Sequence, residues 1–335
     1  MCIRDSLYGG LIFLLSFLLA LYLTPIVRRG ALRFGIMDVP DQRLKRHREP
    51  IPYLGGIAVY FSYLLALSAS FPFDGEVLAL LLSGTVVLLI GLLDDLGSLP
   101  PAVKLLGQLF AVFVLLRAGV YIKLTFLPQG VAIALTALWL ILLTNAFNII
   151  DVMDGLAPGT GAIASLGFAV VAFLNGRVEM MLMALALGGA LSGFLRYNFT
   201  PARIFLGDAG SLFLGFMVGG FAVLGSYTGK NPLGFFAPVI ILGVPLFDTL
   251  SVIWARLRKG LSPFRGSPDH FALKLQGLGL SVPKVVLLSY GVSVSLTFLG
   301  ILLMETTSSG FAIGLCGGLL ILGLVGTEAL RRVGE

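Results

Sequence analysis

The chain has few charged residues. Only 12% of its 335 residues are Asp, Glu, Lys or Arg, whereas soluble domains carry about 25%. A mean hydropathy of +1.00 reflects apolar runs of about 17 to 25 residues, the length that a helix needs to cross a bilayer. The composition excludes a soluble globular protein. It predicts an all-α polytopic membrane protein, because helices satisfy their own backbone hydrogen bonds in lipid.

Cysteine and histidine are also scarce, with two of each. Cys2 and Cys316 lie near opposite ends, so we predict no disulfide and no cysteine chemistry. The sequence has none of the His or Cys clusters that zinc sites use. The net charge of +6 belongs to loops between membrane helices. We therefore predict no nucleic-acid partner.

We predict eleven transmembrane helices in a single domain that covers 1–335. The first six residues, MCIRDS, carry charge ahead of the first apolar run, and we interpret 1–6 as a non-native leader. The predicted helices lie at about 7–27, 51–71, 77–93, 102–118, 131–149, 159–175, 178–195, 210–226, 233–255, 284–304 and 310–330.

Lysine and arginine set the predicted orientation. With eleven spans and a cytoplasmic C-terminus, 18 of the 23 Lys and Arg residues fall on the cytoplasmic side. The N-terminus is then outside, and five polar loops at 28–50, 94–101, 148–158, 196–209 and 256–283 are cytoplasmic. We therefore predict that the protein acts on something cytoplasmic, at this face of the membrane.

The third of these loops is the most informative. Its sequence, NAFNIIDVMDGLA, places Asn145, Asn148, Asp151 and Asp154 at a spacing of three, near one face of a helix. Oxygen-bearing side chains of this kind suit Mg²⁺, with Mn²⁺ as the alternative. Helix packing is the other interpretation for Asn145, but it explains the two acids poorly.

The second loop contains Asp94 and Asp95 at the end of an apolar run, followed by Lys104. Acids at a helix C-terminus oppose the helix dipole. The pair either ligates a divalent cation or supplies a base, and Lys104 is placed to meet a phosphate. In the fourth loop, Asp208 follows Gly207 at the start of a span. It either caps that helix or holds a metal that bridges phosphates.

The first and fifth loops are basic. Lys45 and His47 precede a Pro- and Gly-containing turn, and they either anchor the loop to anionic lipid or grip a phosphate. In the fifth loop, Arg265, Asp269 and His270 are predicted to take part in the site. Asp248, within the preceding span, is either a further site residue or a brace for a neighbouring helix.

Together, these motifs resemble the polyprenyl-phosphate N-acetylhexosamine-1-phosphate transferases. The similarity covers nearly the whole chain, and the motifs occur in the family's order. The fifth loop departs from the family pattern, because it has a single histidine where members typically carry several. The residues that carry the resemblance are Lys45, His47, Pro50, Pro52, Gly55, Gly56, Asp94, Asp95, Leu99, Pro100 or Pro101, Lys104, Gln108, Asn145, Asn148, Asp151, Asp154, Gly155, Leu156, Phe205, Gly207, Asp208, Gly210 and Ser211.

The resemblance implies that a polyprenyl phosphate attacks a UDP-N-acetylhexosamine and releases UMP. It implies that Asp208 and Asn148 hold Mg²⁺, and that Asp94, Asp95, Asp151 and Asp154 are catalytic. The implied phosphate and substrate contacts are Lys45, His47, Lys104, Asn145, Arg265, Asp269 and His270.

The single histidine favours the UDP-N-acetylglucosamine branch of the family or a relative that uses another N-acetylhexosamine. The resemblance implies undecaprenyl phosphate as the lipid acceptor. A phospho-N-acetylmuramoyl-pentapeptide transferase is the alternative, and a lipid or sugar transporter or flippase is the rival class. Small residues such as Gly188, Gly189 and Gly193 pack helices within one chain or between two, so a homodimer is a further prediction.

Overall fold

The computed structural model describes residues 3–38, 50–69, 75–262 and 267–332. Thirteen α-helices occur in this part of the chain, with a short 3-10 helix at Pro232–Phe236. The helices are α1 Ile3–Phe34, α2 Gly55–Ser68, α3 Gly75–Gly97, α4 Pro101–Arg117, α5 Gln129–Ile150, α6 Leu156–Leu174, α7 Val178–Asn198, α8 Gly207–Leu224, α9 Ala237–Ile241, α10 Gly243–Arg258, α11 Phe271–Gly277, α12 Val282–Glu305 and α13 Ser309–Arg332.

One pair of short strands accompanies the helices in the described residues. Strand β1, Met37–Asp38, pairs antiparallel with β2, Ile51–Pro52. The predicted all-α membrane architecture is confirmed, because this ribbon is the only sheet in the part of the chain that the structure describes. The first helix begins at Ile3, so it includes residues that we assigned to a leader.

The number of spans depends on how the short helices are counted. Eight of the described helices are long and apolar enough to cross a bilayer, or nine if the pair Pro232–Ile241 and Gly243–Arg258, bent by 75°, is one span. Helix α2 has 14 residues and α4 has 17, fewer than the roughly 20 that a span usually needs. Each predicted segment coincides with a helix or a helix pair, but the total of eleven stays a prediction.

The helix ends follow from local sequence. Prolines open α4 and lie in the first turn of α12, where the missing N–H has no helical partner to lose. Gly155 precedes α6 with a φ of 78°, and Gly207 is the first residue of α8 with a φ of 76°. Residues with a side chain rarely adopt such positive φ values. These two glycines allow sharp reversals between antiparallel helices at the same end of the bundle.

Helix α8 lies at the centre of the bundle. It contacts α2, α3, α5 and α6, and nearly all of its residues are buried. A Cβ atom built on Gly56 would lie 2.2 Å from the backbone nitrogen of Gly210, and one on Gly91 would lie 2.4 Å from the carbonyl oxygen of Asp208. Because α2 and α3 approach α8 backbone to backbone here, the first turn of α8 is fixed from two sides.

Candidate active site

A cavity of about 670 Å³ lies where several helices begin or end. Helices α3 and α5 end at it, α8 begins at it, and α11 covers one side. Seven of the residues predicted from the sequence line it, so the structure brings most of the predicted site together. Its polar lining residues are Asp38, Tyr53, Asp94, Asp95, Asn148, Asp151, Asp154, Asn198, Asp208, Ser267, His270 and Gln276.

Lys104 joins the second and fourth motifs. It lies in the first turn of α4, and its Nζ is 2.6 Å from Oδ2 of Asp94 and 2.6 Å from Oδ2 of Asp208. The backbone N–H of Leu99 also donates to Asp94, across the turn that connects α3 to α4. One cation therefore holds together two carboxylates that lie 114 residues apart in sequence, and it offsets part of their repulsion.

Asp95 caps α8. Its Oδ1 accepts the N–H of Asp208 at 2.8 Å, and its Oδ2 accepts the N–H of Ala209 at 3.0 Å. The first N–H groups of a helix have no partner within the helix, and a carboxylate also interacts favourably with the positive end of its dipole. Both oxygens of Asp95 are thus engaged in supporting the helix that carries Asp208.

Asn148 reaches the same carboxylate from α5. Its Nδ2 donates to Oδ1 of Asp208 at 2.9 Å and to Oγ of Ser211 at 3.0 Å. The structure therefore places both predicted metal ligands, Asp208 and Asn148, in direct contact.

Asp151 and Asp154 reach the cavity differently from the prediction. The helix ends at Ile150, and Asp151, with φ −77° and ψ 52°, already lies outside it. The prediction that four polar residues share one helix face is therefore wrong beyond Asn148. The chain must reverse within the five residues before α6, and this turn carries both acids to the cavity.

The carboxylates of this turn lie close to other negative charges. Burial, followed by the charges of Asp208, Asp95 and Asp154, raises the pKa of Asp151 to about 8. Asp154 accepts the N–H of Ala202 at 2.9 Å, which fixes it against the loop between α7 and α8. The cavity thus concentrates acids that repel one another.

This set of oxygen donors fits a hard divalent cation. Among the described residues, no three His, Cys, Asp or Glu side chains form a ready-made metal cluster. Mg²⁺ keeps several waters and binds through one or two carboxylates together with substrate phosphates, so it does not need such a cluster. The crowded acids of the cavity, with amide oxygens beside them, match its chemistry.

Asn145 lies apart from the cavity. Its Nδ2 donates to Oε1 of Gln108 and to the carbonyl of Ile141, both at 2.8 Å. It does not line the cavity, and its contacts join α5 to α4. The structure thus gives Asn145 the helix-packing position that was the alternative interpretation.

His270 and Asp269 point to opposite sides. His270 lines the carboxylate cavity, whereas Asp269 lines a separate cavity with Lys259 and Lys274. Burial acts to raise the pKa of Asp269, but hydrogen bonds from Lys259 and Ser267 lower it overall. Asp269 therefore does not join the predicted site, because its carboxylate is held by Lys259 on the far side of the segment.

Three predicted residues, Lys45, His47 and Arg265, lie outside the described residues. Five polar cavity residues were not predicted from the sequence: Asp38, Tyr53, Asn198, Ser267 and Gln276. Of these, Asn198 lies at the end of α7. Its Oδ1 accepts the N–H of Gly155 at 3.0 Å, and its Nδ2 donates to the carbonyl of Ile204 at 3.0 Å. A lone amide just after an apolar run was the only available signal.

Comparison with known proteins places these motifs in a family. The model for glycosyl transferase family 4 matches residues 77–226. A probable undecaprenyl-phosphate N-acetylglucosaminyl 1-phosphate transferase of Bacillus subtilis is 34% identical over 304 residues, 88% of this chain and 85% of the relative. A decaprenyl-phosphate N-acetylglucosaminephosphotransferase of Mycolicibacterium smegmatis is 31% identical over 319 residues, 84% of this chain and 78% of the relative.

A further relative comes from another branch. A phospho-N-acetylmuramoyl-pentapeptide-transferase of Desulforudis audaxviator is 34% identical over 335 residues, covering 88% of this chain and 96% of the relative. The region matched by the family model contains Asp94, Asp95, Asn148, Asp151 and Asp208. The similarity to these relatives extends over most of the chain. The chain belongs to glycosyl transferase family 4.

Proposed function

We propose that this protein transfers N-acetylglucosamine-1-phosphate from UDP-N-acetylglucosamine to undecaprenyl phosphate. The observation that carries the proposal is the cluster of Asp94, Lys104, Asn148 and Asp208 at the membrane-helix ends. It lies where a lipid phosphate and a soluble nucleotide can meet. The names of the Bacillus subtilis and Mycolicibacterium smegmatis relatives support this choice of sugar.

The reaction is a phosphoryl transfer. An oxygen of the lipid phosphate bonds to the β-phosphorus of the donor, the bond from that phosphorus to the bridging oxygen breaks, and UMP leaves. A phosphate is largely ionised near neutral pH, so the attacking oxygen needs no strong base. Lys104 offsets negative charge beside Asp94 and Asp208, and positioning and charge neutralisation account for most of the catalysis.

Mg²⁺ is the proposed cofactor, with Mn²⁺ as the alternative. Asp208 and Asn148 would hold it. Asp151 lies close enough to Asp208 that the negative charge of Asp208 helps to raise the pKa of Asp151. The ion would neutralise the donor's diphosphate. Asp95 supports Asp208 through the backbone of α8, which makes it a positioning residue for this site.

We assign the cavity to the cytoplasmic face of a bacterial inner membrane, with the N-terminus outside. The support is the excess of Lys and Arg in the loops at this end of the bundle. The homodimer stays a prediction.

A phospho-N-acetylmuramoyl-pentapeptide transferase is the second candidate. The Desulforudis audaxviator relative is as similar as the Bacillus subtilis one by identity. The sequence of the fifth loop, with His270 as its single histidine, favours the N-acetylglucosamine donor. The transporter alternative is weaker, because the polar groups gather at helix ends instead of at the middle of the bundle.

The test is a transfer assay with purified protein in detergent. Undecaprenyl phosphate is supplied with UDP-N-acetylglucosamine, UDP-N-acetylgalactosamine or UDP-N-acetylmuramoyl-pentapeptide, with Mg²⁺ or with chelator. We expect Mg²⁺-dependent UMP release and a lipid-linked product with UDP-N-acetylglucosamine. Asp208→Asn should abolish transfer while the protein remains folded. Transfer of the muramoyl-pentapeptide donor alone would establish the second candidate, and no transfer with any donor would refute the transferase assignment.

A further inference from the structure

Asp248 of α10 is bound to His270. The carboxylate is completely buried, and its Oδ2 lies 2.8 Å from Nδ1 of the His270 ring. Its Oδ1 accepts the backbone N–H of Phe271 at 3.0 Å, at the start of α11. An ionised carboxylate accepts hydrogen bonds at both oxygens, so we assign Nδ1 of His270 as the donor in its contact with Asp248.

The same segment is held from its other side. Adjacent to His270, Asp269 accepts from Lys259 at 2.7 Å and from Ser267 at 2.7 Å. Asp248 of α10 thus binds His270, and Lys259, which follows α10, binds Asp269. These two contacts fix the backbone on both sides of His270, which leaves the ring little freedom to turn.

The orientation of the ring determines what it can offer to a ligand. Asp248 occupies Nδ1, and His270 lines the cavity that contains the carboxylates. Nε2 is therefore the ring atom that remains for a ligand. A doubly protonated ring donates to Asp248 with one N–H and to a ligand oxygen with the other. The buried carboxylate then compensates the charge of the ring.

Charged groups reach this region from several of the elements around the cavity. Negative charge dominates, and Lys104 offsets only part of it. A cationic ring among these acids is a complement to phosphate oxygens that arrive with a divalent cation. The charged side chains that line the cavity with His270 are Asp38 of β1, Asp94 and Asp95 of α3, Asp151 and Asp154 of the turn, and Asp208 of α8; Asp248 of α10, together with Asp269 and Lys274, surrounds the His270 segment itself.

We propose that Asp248 is a positioning residue that directs Nε2 of His270 to a phosphate oxygen of the sugar nucleotide. This inference rests on the proposed function, since the nucleotide is the donor of that reaction. Asp248 does not touch the substrate. It acts by fixing the angle of the ring, by accepting the Nδ1 proton and by compensating the charge of a ring protonated at both nitrogens, so that Nε2–H donates to the phosphate, as a buried acid does for a histidine in other enzymes.

The Asp248→Asn substitution tests the role of the second oxygen. Asparagine retains one acceptor, which the N–H of Phe271 occupies, and it turns an N–H donor toward Nδ1. The Nδ1 proton then has no acceptor, so the neutral ring carries its proton on Nε2, and the hydrogen bond from Nε2 to a phosphate oxygen loses its charge assistance. We expect the KM for the sugar nucleotide to rise about tenfold, with kcat and the KM for undecaprenyl phosphate nearly unchanged.

Thr249→Val is the matched control. Thr249 is the next residue of α10, it is equally enclosed, and its hydroxyl has no hydrogen-bond partner among the described residues. Valine has nearly the same shape, so this variant should behave like the wild type. A donor KM for Asp248→Asn within twofold of this control would overturn the proposal, and so would a rise in the KM for undecaprenyl phosphate alone.

The position of the ring proton can be measured without any substrate. The chain has only two histidines, so His47→Gln leaves His270 as the single signal in a spectrum of ¹⁵N-histidine-labelled protein in detergent. We expect Nδ1 to carry the proton when the ring is neutral, and Nε2 to carry it after Asp248→Asn. A neutral ring protonated at Nε2 without the Asp248 substitution would refute the positioning role, even if Asp248→Asn failed to fold.

The two experiments separate this inference from the proposed function. If the wild type transfers no sugar phosphate, the proposed function fails, whereas the proton position still tests the link between Asp248 and His270. If the wild type transfers sugar phosphate, the positioning role alone is wrong when two results occur together. The donor KM of Asp248→Asn would equal that of Thr249→Val, and the neutral ring of His270 would carry its proton on Nε2 without the Asp248 substitution.

Discussion

The carboxylate of Asp95 is the N-terminal cap of the helix in which Asp208 lies. The two residues are 113 positions apart, and the N–H of Asp208 donates to Oδ1 of Asp95 at 2.8 Å. The end of one helix thereby fixes the start of another, at a level where Gly91 lets the two backbones meet. The geometry of the cluster consequently depends on residues that do not themselves have to touch a substrate.

Asp95→Asn should therefore reduce both stability and transfer. Asparagine offers one acceptor to two backbone N–H groups, so one of them loses its partner, at a cost of about 1–3 kcal/mol. Thermal unfolding in detergent and the transfer assay measure the two effects. Glu305→Gln, which removes an acid paired with Lys230 in another part of the chain, is the control and should change neither. A fully stable Asp95→Asn variant with lost turnover would instead indicate direct participation in the chemistry.

Lys104→Gln should lower turnover and tighten the binding of Mg²⁺. Removing the cation leaves Asp94 and Asp208 without their shared partner, so the cavity attracts a divalent ion more strongly but positions phosphates less well. We expect kcat to fall by roughly 100-fold and the half-saturating Mg²⁺ concentration to decrease. Kinetics over a range of Mg²⁺ concentrations measure both, with Lys230→Gln as the control. Weaker Mg²⁺ binding in the variant would contradict this account.

Gly91→Ala should displace the first turn of α8. The added methyl group would lie within 2.5 Å of backbone atoms of Asp208 and Ala209, which cannot move independently of the helix. Overpacking of this kind costs about 1–3 kcal/mol, and transfer should fall with it. Gly97→Ala, on the same helix and without atoms near the added methyl, should unfold and react like the wild type. Equal behaviour of the two variants would show that the contact is not required.

The stability of the metal-free protein should decrease as the pH rises. Asp151 has a folded-state pKa of about 8 and an unfolded value near 3.9, so the folded state binds more protons between these values. Its contribution is fully present below about pH 4 and is lost as the pH passes through about 8. The free energy of unfolding, measured in the presence of chelator, should decrease from pH 5 to pH 8. This decrease should be smaller in the Asp151→Asn variant. A steeper dependence in that variant would exclude Asp151 as the cause.

The prediction of the membrane helices from sequence succeeded where apolar runs were long. Helix α5, predicted at 131–149, spans Gln129–Ile150, because an uninterrupted run leaves the backbone few alternatives in lipid. The break at Leu242 was not predicted. Apolar residues continue on both sides of it, so the hydropathy of the sequence does not indicate the 75° bend.

Many of the predicted site residues line one cavity, but the contacts that hold them were not predicted. The position of Asp208 beside Asn148 was implied by the family resemblance, but the hydrogen bonds from α8 to Asp95 depend on how two distant helices meet. Asn145 and Asp269 have side chains that suit the site, but Asn145 binds Gln108 and Asp269 binds Lys259 instead. Side-chain direction over such distances is a result of packing, which a spacing of three residues does not encode.

The cavity is built from the terminal turns of α3, α5, α7, α8 and α12, from the short helix α11, and from the segments beside them. The opposite ends of these helices make contacts of their own, such as the ion pair of Glu76 with Arg177. The length of the helices can therefore change at those distant ends without moving the chemistry. A lineage that lives in a thicker or thinner bilayer can match it by gaining or losing a turn there, so membrane thickness and catalysis can evolve separately in this architecture.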